Sequence, residues 1–232
     1  MHQSAFLMNE NSLACDLAFC YRVHRPRPET SQVIVALHGS GVDETTILPL
    51  AARILPDALV IAPRGRIIQN SERRWYEKIT PTLFDQESVR MEAAAFAGFI
   101  EDLRDAGMIE PKHTLFLGYS NGANLIAATM LLHPGLIQRG ALLRSMPVLL
   151  EPPSPDLTGT RALVVAGKND ATYGPLAPSL SVLLTERGAA TESVIVNAGH
   201  EFGENDRAAV QAWLHRDPGW SGSKVALTGK YR

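Results

Sequence analysis

The sequence places a serine in a pattern that fits covalent catalysis. Ser120 is the central residue of a Gly-x-Ser-x-Gly pattern (118–122), between an apolar run at 115–117 and an apolar helix predicted over 125–132. A serine on such a sharp strand-to-helix turn has a strained backbone and projects its hydroxyl out of the fold. Glycines flank it because a Cβ at either position would clash in so tight a turn. The spacing therefore predicts that Ser120 is a nucleophile.

A serine hydroxyl is a weak nucleophile until a neighbouring base accepts its proton. Asp170 follows the strand predicted over 161–166, and His200 follows the strand predicted over 193–197. Since ligands bind beyond the carboxyl ends of the strands in an open α/β sheet, we expect both side chains to meet Ser120 there. We predict that His200 is the general base and then the general acid, and that Asp170 orients its imidazole. The alternative for Asp170 is that it only caps the following helix.

An attacked carbonyl also needs two N–H donors that stabilise the oxygen as it becomes negative. One should come from Asn121, directly after the predicted nucleophile. The other should come from Ser40, in the loop after the strand predicted over 33–37, where Gly39 and Gly41 allow close approach of the backbone. His38, in the same loop, either shapes the loop or acts as a second base, and we favour the first role.

These residues require a scaffold of alternating strands and helices. Strands are predicted at 17–24, 33–37, 58–62, 115–117, 140–147, 161–166 and 193–197, and helices at 46–55, 85–107, 125–132, 176–187 and 204–215. The alternation predicts an α/β fold with a mostly parallel central sheet and helices on both faces. The stretches 64–84 and 147–160 are predicted to be helix-free loops beside the site, and neither is long enough for a large lid.

Length and composition limit the function classes. A chain of 232 residues fits a single domain, here 1–216, followed by a Gly- and Ser-rich tail at 217–232 that we expect to be poorly ordered. The net charge of -2 gives no footprint for nucleic acid. No apolar run is long enough to span a membrane, and residues 1–10 lack the basic start of a secretory signal.

Two cysteines, Cys15 and Cys20, lie in a segment predicted to be partly extended. On a strand they would point to opposite faces, which is poor geometry for a disulfide. We therefore expect two reduced thiols and, with no secretory signal, a cytoplasmic protein. No Cys or His pair has the spacing of metal ligands, so we expect no metal site.

Together these motifs resemble the phospholipase/carboxylesterase family of α/β-hydrolases, which includes acyl-protein thioesterases and small bacterial esterases. The resemblance covers about Val33 to Leu214 and agrees with the order Ser, Asp, His that this fold requires. The matching segments are 37–44, 62–63, 74–76, 118–123, 166–170 with Pro175, and 199–200. Residues 142–147 look closer to the bacterial esterase branch, including dienelactone-hydrolase-like relatives. True dienelactone hydrolases have Cys at the elbow, so Ser120 argues against that activity.

The resemblance implies a compact hydrolase that cuts carboxylic esters or thioesters and needs no cofactor. Candidate substrate contacts are Gly41, Trp75, Tyr76 and Met146, although Trp75 and Tyr76 could equally close the core. Our leading hypothesis is a serine carboxylesterase that acts on small to medium esters through an acyl-enzyme on Ser120. A thioesterase, a lysophospholipase and a non-catalytic binding protein on the same fold are the alternatives, and a homodimer is an expectation by analogy alone.

Overall fold

The computed structural model describes residues 12–26 and 31–220. The strands are β1 (Tyr21–His24), β2 (Val33–Leu37), β3 (Leu59–Pro63), β4 (Ile67–Gln69), β5 (Glu72–Arg74), β6 (Thr114–Tyr119), β7 (Arg139–Leu143), β8 (Arg161–Gly167) and β9 (Ala190–Val196). The α-helices are α1 (Glu44–Ile54), α2 (Gln86–Asp105), α3 (Asn121–Leu132), α4 (Ala177–Glu186) and α5 (Glu204–His215). Short 3₁₀ turns lie at Pro111–His113 and Pro218–Trp220.

In the described part of the chain, seven strands form the central sheet in the order β1-β3-β2-β6-β7-β8-β9. Only β1 is antiparallel to its neighbour, and the other strands pair in parallel. All five residues of β2 are buried, because side chains alternate between two covered faces of a parallel sheet. The predicted α/β-hydrolase fold is confirmed.

The two faces of the sheet carry separate hydrophobic cores. The first core joins Val33, Val35 and Leu37 to side chains of α2, α3 and α4. The second joins Ile34 and Ala36 to α1 and α5. Helices therefore cover both faces, and within residues 12–26 and 31–220 no large lid stands over the carboxyl ends of the strands.

Most predicted elements occur within a few residues of their expected bounds, one differs in kind, and one strand ends early. The segment 64–84, predicted as a loop, contains the antiparallel hairpin of β4 and β5. The strand predicted over 140–147 ends at Leu143, because Arg144 has a left-handed backbone with φ of 54°. Gly107, at φ of 68°, follows the last residues of α2 and terminates the helix.

The prediction of two reduced thiols was wrong, because Cys15 and Cys20 form a disulfide. Residues 16–19 bend instead of extending, and the chain folds back so that Ala14 and Tyr21 exchange two backbone hydrogen bonds. The two cysteines lie just inside that pair, with their Cα atoms 4.1 Å apart. An extended segment would have pointed them apart, whereas a reversal points them together.

The predicted tail also begins inside the packed fold. Asp217 is buried and accepts a hydrogen bond of 2.6 Å from Arg139 Nε, and Trp220 is 7% exposed. The first four residues of the predicted tail are therefore ordered, and 221–232 lie outside the described residues. Among the described helices, none is both long and apolar enough to cross a membrane.

Candidate active site

The serine lies at the turn between β6 and α3, as predicted. Ser120 has φ of 51° and ψ of -115°, a backbone conformation that non-glycine residues rarely adopt. A Cβ at position 118 would lie 2.4 Å from the Cα of Ala123, and one at position 122 would lie 2.6 Å from the carbonyl oxygen of His38. Only glycine fits at these two positions, which explains the spacing in the sequence.

The three predicted catalytic side chains form one hydrogen-bonded chain. His200 Nε2 lies 3.0 Å from Ser120 Oγ, and His200 Nδ1 lies 2.7 Å from Asp170 Oδ2. These three groups come from the ends of three different strands, 30 and 80 residues apart along the chain. The distances allow His200 to accept a proton from Ser120 while a carboxylate orients its other nitrogen.

The hydrogen bonds of Asp170 favour the ionised form of its carboxyl group. Burial alone would raise its pKa, but the backbone N–H of Tyr173 and the imidazole of His200 both bond its carboxylate, so the pKa is lowered. Oδ1 accepts the N–H groups of Thr172 and Tyr173, which leaves Oδ2 for His200. The carboxylate thus both caps a local turn and contacts the histidine, while α4 begins only at Ala177.

The loop that carries His200 depends on a buried ion pair that the sequence did not reveal. Arg144 is 1% exposed, pairs with Asp206 at 2.7 Å, and donates to the carbonyl oxygens of Gly199 and Glu201. The Tyr119 hydroxyl donates to the carbonyl of His200 itself at 3.0 Å. These bonds fix the backbone on both sides of the imidazole.

The two residues predicted to supply the oxyanion donors lie in the segments that directly follow β6 and β2. Asn121 is the first residue of α3, and an α-helix leaves its first N–H groups without partners inside the helix. Ser40 is exposed in the loop after β2. Gly41 N–H is bonded to the carbonyl of Arg73 at 2.8 Å, so this residue holds the loop and does not present its amide to a substrate. A Cβ at Gly39 would lie 2.8 Å from the ring of Tyr119.

His38 is held as a neutral side chain within this loop. Nδ1 lies 2.7 Å from the carbonyl oxygen of Gly39, so it carries the hydrogen, and Nε2 accepts the N–H of Gly65 at 2.9 Å. Burial lowers the pKa of His38 to about 4. Its contacts agree with the prediction that it shapes the loop.

The remaining candidate contacts are buried. Trp75 and Tyr76 are 0% exposed, and Met146 is 4% exposed. The indole of Trp75 packs against Phe19 at 5.6 Å between ring centroids and donates Nε1–H to His38 at 2.8 Å. For both aromatic residues the structure therefore supports the core-closing alternative.

Two side chains near the site were missed by sequence reasoning. The ring of Tyr173 meets the imidazole of His200 edge-on at 5.0 Å, and its hydroxyl donates to Pro81 at 3.2 Å. Arg74 is 4% exposed and donates from Nη1 to Ser40 Oγ at 3.2 Å. Arg74 lies in the segment 74–76 that carries part of the family resemblance, but neither contact has a local sequence signal, because each joins segments that are far apart in the chain.

Comparison with known proteins places the chain among esterases. No family model matches the chain. The carboxylesterase from Mesorhizobium loti is 47% identical, with 90% of this chain and 100% of that chain covered and a TM-score of 0.87. The carboxylesterase of Bacillus cereus is 23% identical, covering 84% of this chain and 92% of that chain with a TM-score of 0.78.

A phospholipase/carboxylesterase from Dyadobacter fermentans DSM 18053 is 17% identical, with 88% of this chain and 98% of that chain covered and a TM-score of 0.67. Like the Bacillus cereus structure, it supports the fold alone. The Mesorhizobium loti protein is similar enough over its full length to support more than the fold. The chain belongs to the phospholipase/carboxylesterase family of α/β-hydrolases.

Proposed function

We propose that this hydrolase is a serine carboxylesterase that cleaves small to medium carboxylic esters through an acyl-enzyme on Ser120. The observation that carries the proposal is the position of His200, which bonds Ser120 Oγ through one ring nitrogen and the Asp170 carboxylate through the other. An ester fits as substrate because its carbonyl is attacked by an activated hydroxyl and no further group is required.

In the first half of the reaction, Ser120 Oγ attacks the ester carbonyl while its proton moves to His200 Nε2. The carbonyl oxygen becomes negative, and the N–H groups of Asn121 and Ser40 stabilise it. The C–O bond to the alcohol then breaks, and His200 returns its proton to the leaving alkoxide. The products are a free alcohol and an ester between Ser120 and the acyl group.

In the second half, water takes the place of the alcohol. His200 removes a proton from the water, whose oxygen attacks the acyl-enzyme carbonyl, and the proton then passes to Ser120 Oγ as the acid leaves. Asp170 stabilises the imidazolium in both halves without accepting its proton. The lowered pKa of Asp170 keeps its carboxylate negative throughout this cycle.

The experiment is burst-phase hydrolysis of p-nitrophenyl acetate, butyrate and octanoate by the parent protein and by Ser120→Ala. We expect turnover that disappears in the variant, with a preference for the acetate and butyrate esters. Activity that survives Ser120→Ala would overturn the mechanism. A folded parent protein that cleaves no ester but cleaves an acyl thioester would favour the thioesterase alternative, and one that cleaves neither would favour a binding protein.

Location and assembly are separate parts of the proposal. A cytoplasmic location has lost one of its supports, because the two cysteines are joined in a disulfide. We keep the cytoplasmic location as a proposal, which cell fractionation would test. A homodimer remains an analogy-based expectation, which light scattering of the purified protein would test.

A further inference from the structure

Three consecutive residues, Arg73, Arg74 and Trp75, contact both parts of the proposed oxyanion hole. We call this segment the 73–75 strap. It comprises the last two residues of β5 and the residue that follows, and it lies between the loop after β2 and the start of α3. The inference drawn from it depends on the proposed function, since it concerns how the two N–H donors are held.

Each strap residue bonds the loop that carries Ser40. The carbonyl of Arg73 accepts Gly41 N–H at 2.8 Å. Arg74 Nη1 donates to Ser40 Oγ at 3.2 Å, and Trp75 Nε1 donates to the carbonyl of His38 at 2.8 Å. The loop is therefore bonded at His38, at Ser40 and at Gly41, which lie on both sides of the Ser40 amide.

The strap also bonds the first residue of α3. The backbone N–H of Trp75 donates to Asn121 Oδ1 at 2.7 Å, and both residues are almost completely buried. Trp75 thus contacts the two donor segments at once, one through its indole and one through its backbone. A displacement of Trp75 would change the separation of Ser40 and Asn121.

The strap itself is rigidly supported. Trp75 packs against Phe19 and Phe96, with ring centroids 5.6 Å and 6.3 Å away. A Cβ at Gly65 would lie 2.5 Å from the carbonyl oxygen of Arg74, so the backbones touch there. The charge of Arg74 is compensated by an ion pair with Glu72. These contacts restrict the movement of the 73–75 strap relative to the rest of the fold.

From these contacts we propose that the 73–75 strap sets the spacing of the two oxyanion donors, with Arg74 and Trp75 as positioning residues. Neither side chain acts on the substrate. The competing explanation is that the Arg74 guanidinium stabilises a negative charge directly, either on the oxyanion or on a substrate carboxylate. The two explanations differ in what lysine can replace, because lysine preserves the charge but not the planar, multi-donor guanidinium.

The test compares Ser40→Ala, Arg74→Lys, Arg74→Met and the Ser40→Ala/Arg74→Met double variant on p-nitrophenyl butyrate. Ser40→Ala retains the backbone N–H and removes only the oxygen that Arg74 bonds. We expect each single variant to lower kcat on the order of tenfold with little change in KM, because misplaced donors lose interactions made in the transition state. The double variant should be no slower than Arg74→Met, since both changes break the same bond.

Two further readouts separate positioning from general damage. The affinity for a trifluoromethyl ketone, whose adduct with the serine carries an oxyanion, should fall by the same factor as kcat/KM. Hydrogen exchange of the Gly41 amide in the free protein should accelerate in each variant. That measurement reports on the strap even if the protein hydrolyses no ester. Ser71→Ala, in the turn of the same hairpin, serves as the control and should behave as the parent.

Wild-type kcat in Ser40→Ala, or additive losses in the double variant, would overturn the proposal. Near-normal activity in Arg74→Lys together with loss in Arg74→Met would do so as well, and would favour direct electrostatic action. Loss that is confined to anionic esters would identify a substrate carboxylate as the target of Arg74. If the parent protein hydrolyses no ester but the Gly41 amide exchanges faster in the variants, the proposed function is contradicted. The proposal that the 73–75 strap holds the loop is then supported.

Discussion

Two histidines lie at the carboxyl end of the sheet, and their surroundings give them different chemistry. The side chain of His200 is 41% exposed and has a carboxylate at Nδ1, whereas His38 is completely buried and has a backbone carbonyl at Nδ1. A carboxylate stabilises an imidazolium, and a peptide carbonyl in a dry site does so far less. A histidine side chain can therefore act as a base at position 200, whereas at position 38 it stays neutral and holds the backbone through hydrogen bonds.

The loops that carry the two histidines are also held differently. His200 lies on a loop held by a buried charge pair, Arg144 and Asp206, whose side chains have no exposed surface. His38 lies on a loop held by neutral hydrogen bonds from Gly65 and Trp75. The backbone around His200 is thus held by a buried ion pair, whereas the backbone around His38 is held by neutral hydrogen bonds, and the Arg74 guanidinium bonds Ser40 further along that loop.

The largest effect should come from removing the base. His200→Gln should lower kcat on the order of 10⁴-fold or more, because His200 Nε2 is the imidazole nitrogen that lies within hydrogen-bond distance of Ser120 Oγ and would accept its proton. The free energy of unfolding should change little, since this side chain is partly exposed. Steady-state kinetics and urea denaturation measure the two quantities. A rate loss of only tenfold would mean that His200 is not the base.

Asp170→Asn should follow with a loss on the order of 10⁴-fold in kcat, because an amide no longer stabilises the imidazolium or fixes its tautomer. The N–H bonds from Thr172 and Tyr173 can still be made to the amide oxygen, so folding should be preserved. Asp156→Asn is the matched control. Asp156 bonds the N–H of Thr158, and this variant should retain activity.

Replacing His38 should change the stability of the protein, whereas replacing His200 should change kcat. Because burial lowers its pKa from 6.5 to about 4, the unfolded chain binds a proton in that range and the folded protein does not. The free energy of unfolding should therefore decrease by on the order of 3 kcal/mol as the pH falls from about 6.5 to 4. His38→Gln cannot titrate and should lack this part of the pH dependence. Urea denaturation across that range would measure it, and identical slopes in both proteins would contradict the assignment.

The disulfide should have the smallest effect. Joining Cys15 and Cys20 closes a short loop, so its removal should cost on the order of 2 kcal/mol of stability. Phe19, inside that loop, packs on Trp75, so the Cys15→Ser/Cys20→Ser variant should also show faster exchange of the Gly41 amide. A change in kcat as large as that of His200→Gln would contradict the distinction between the surroundings of His200, which affect the rate, and those of His38, which affect stability.

The sequence was sufficient to predict the parts of the site that depend on local patterns. The elbow at Ser120, the strand ends before Asp170 and His200, and the glycine loop around Ser40 each have a signal within a few residues. The strands they follow are continuous apolar runs, which is the pattern of a sheet buried on both faces.

The parts that could not be predicted depend on distant partners. Arg144 pairs with Asp206, which lies 62 residues away in the sequence, and the N–H of Trp75 bonds Asn121, which lies 46 residues away. The disulfide depends on a chain reversal that no turn pattern between the cysteines indicated. Each of these features is decided by tertiary packing, which overrides local preference.

The central claim is that Ser120 becomes acylated. The most direct measurement is mass spectrometry of protein quenched during the burst with p-nitrophenyl acetate, followed by peptide mapping. The mechanism predicts one added acetyl group, on the peptide that contains Ser120, and none in Ser120→Ala. An acetyl group on another residue, or turnover with no acylated intermediate and unchanged activity in Ser120→Ala, would contradict it.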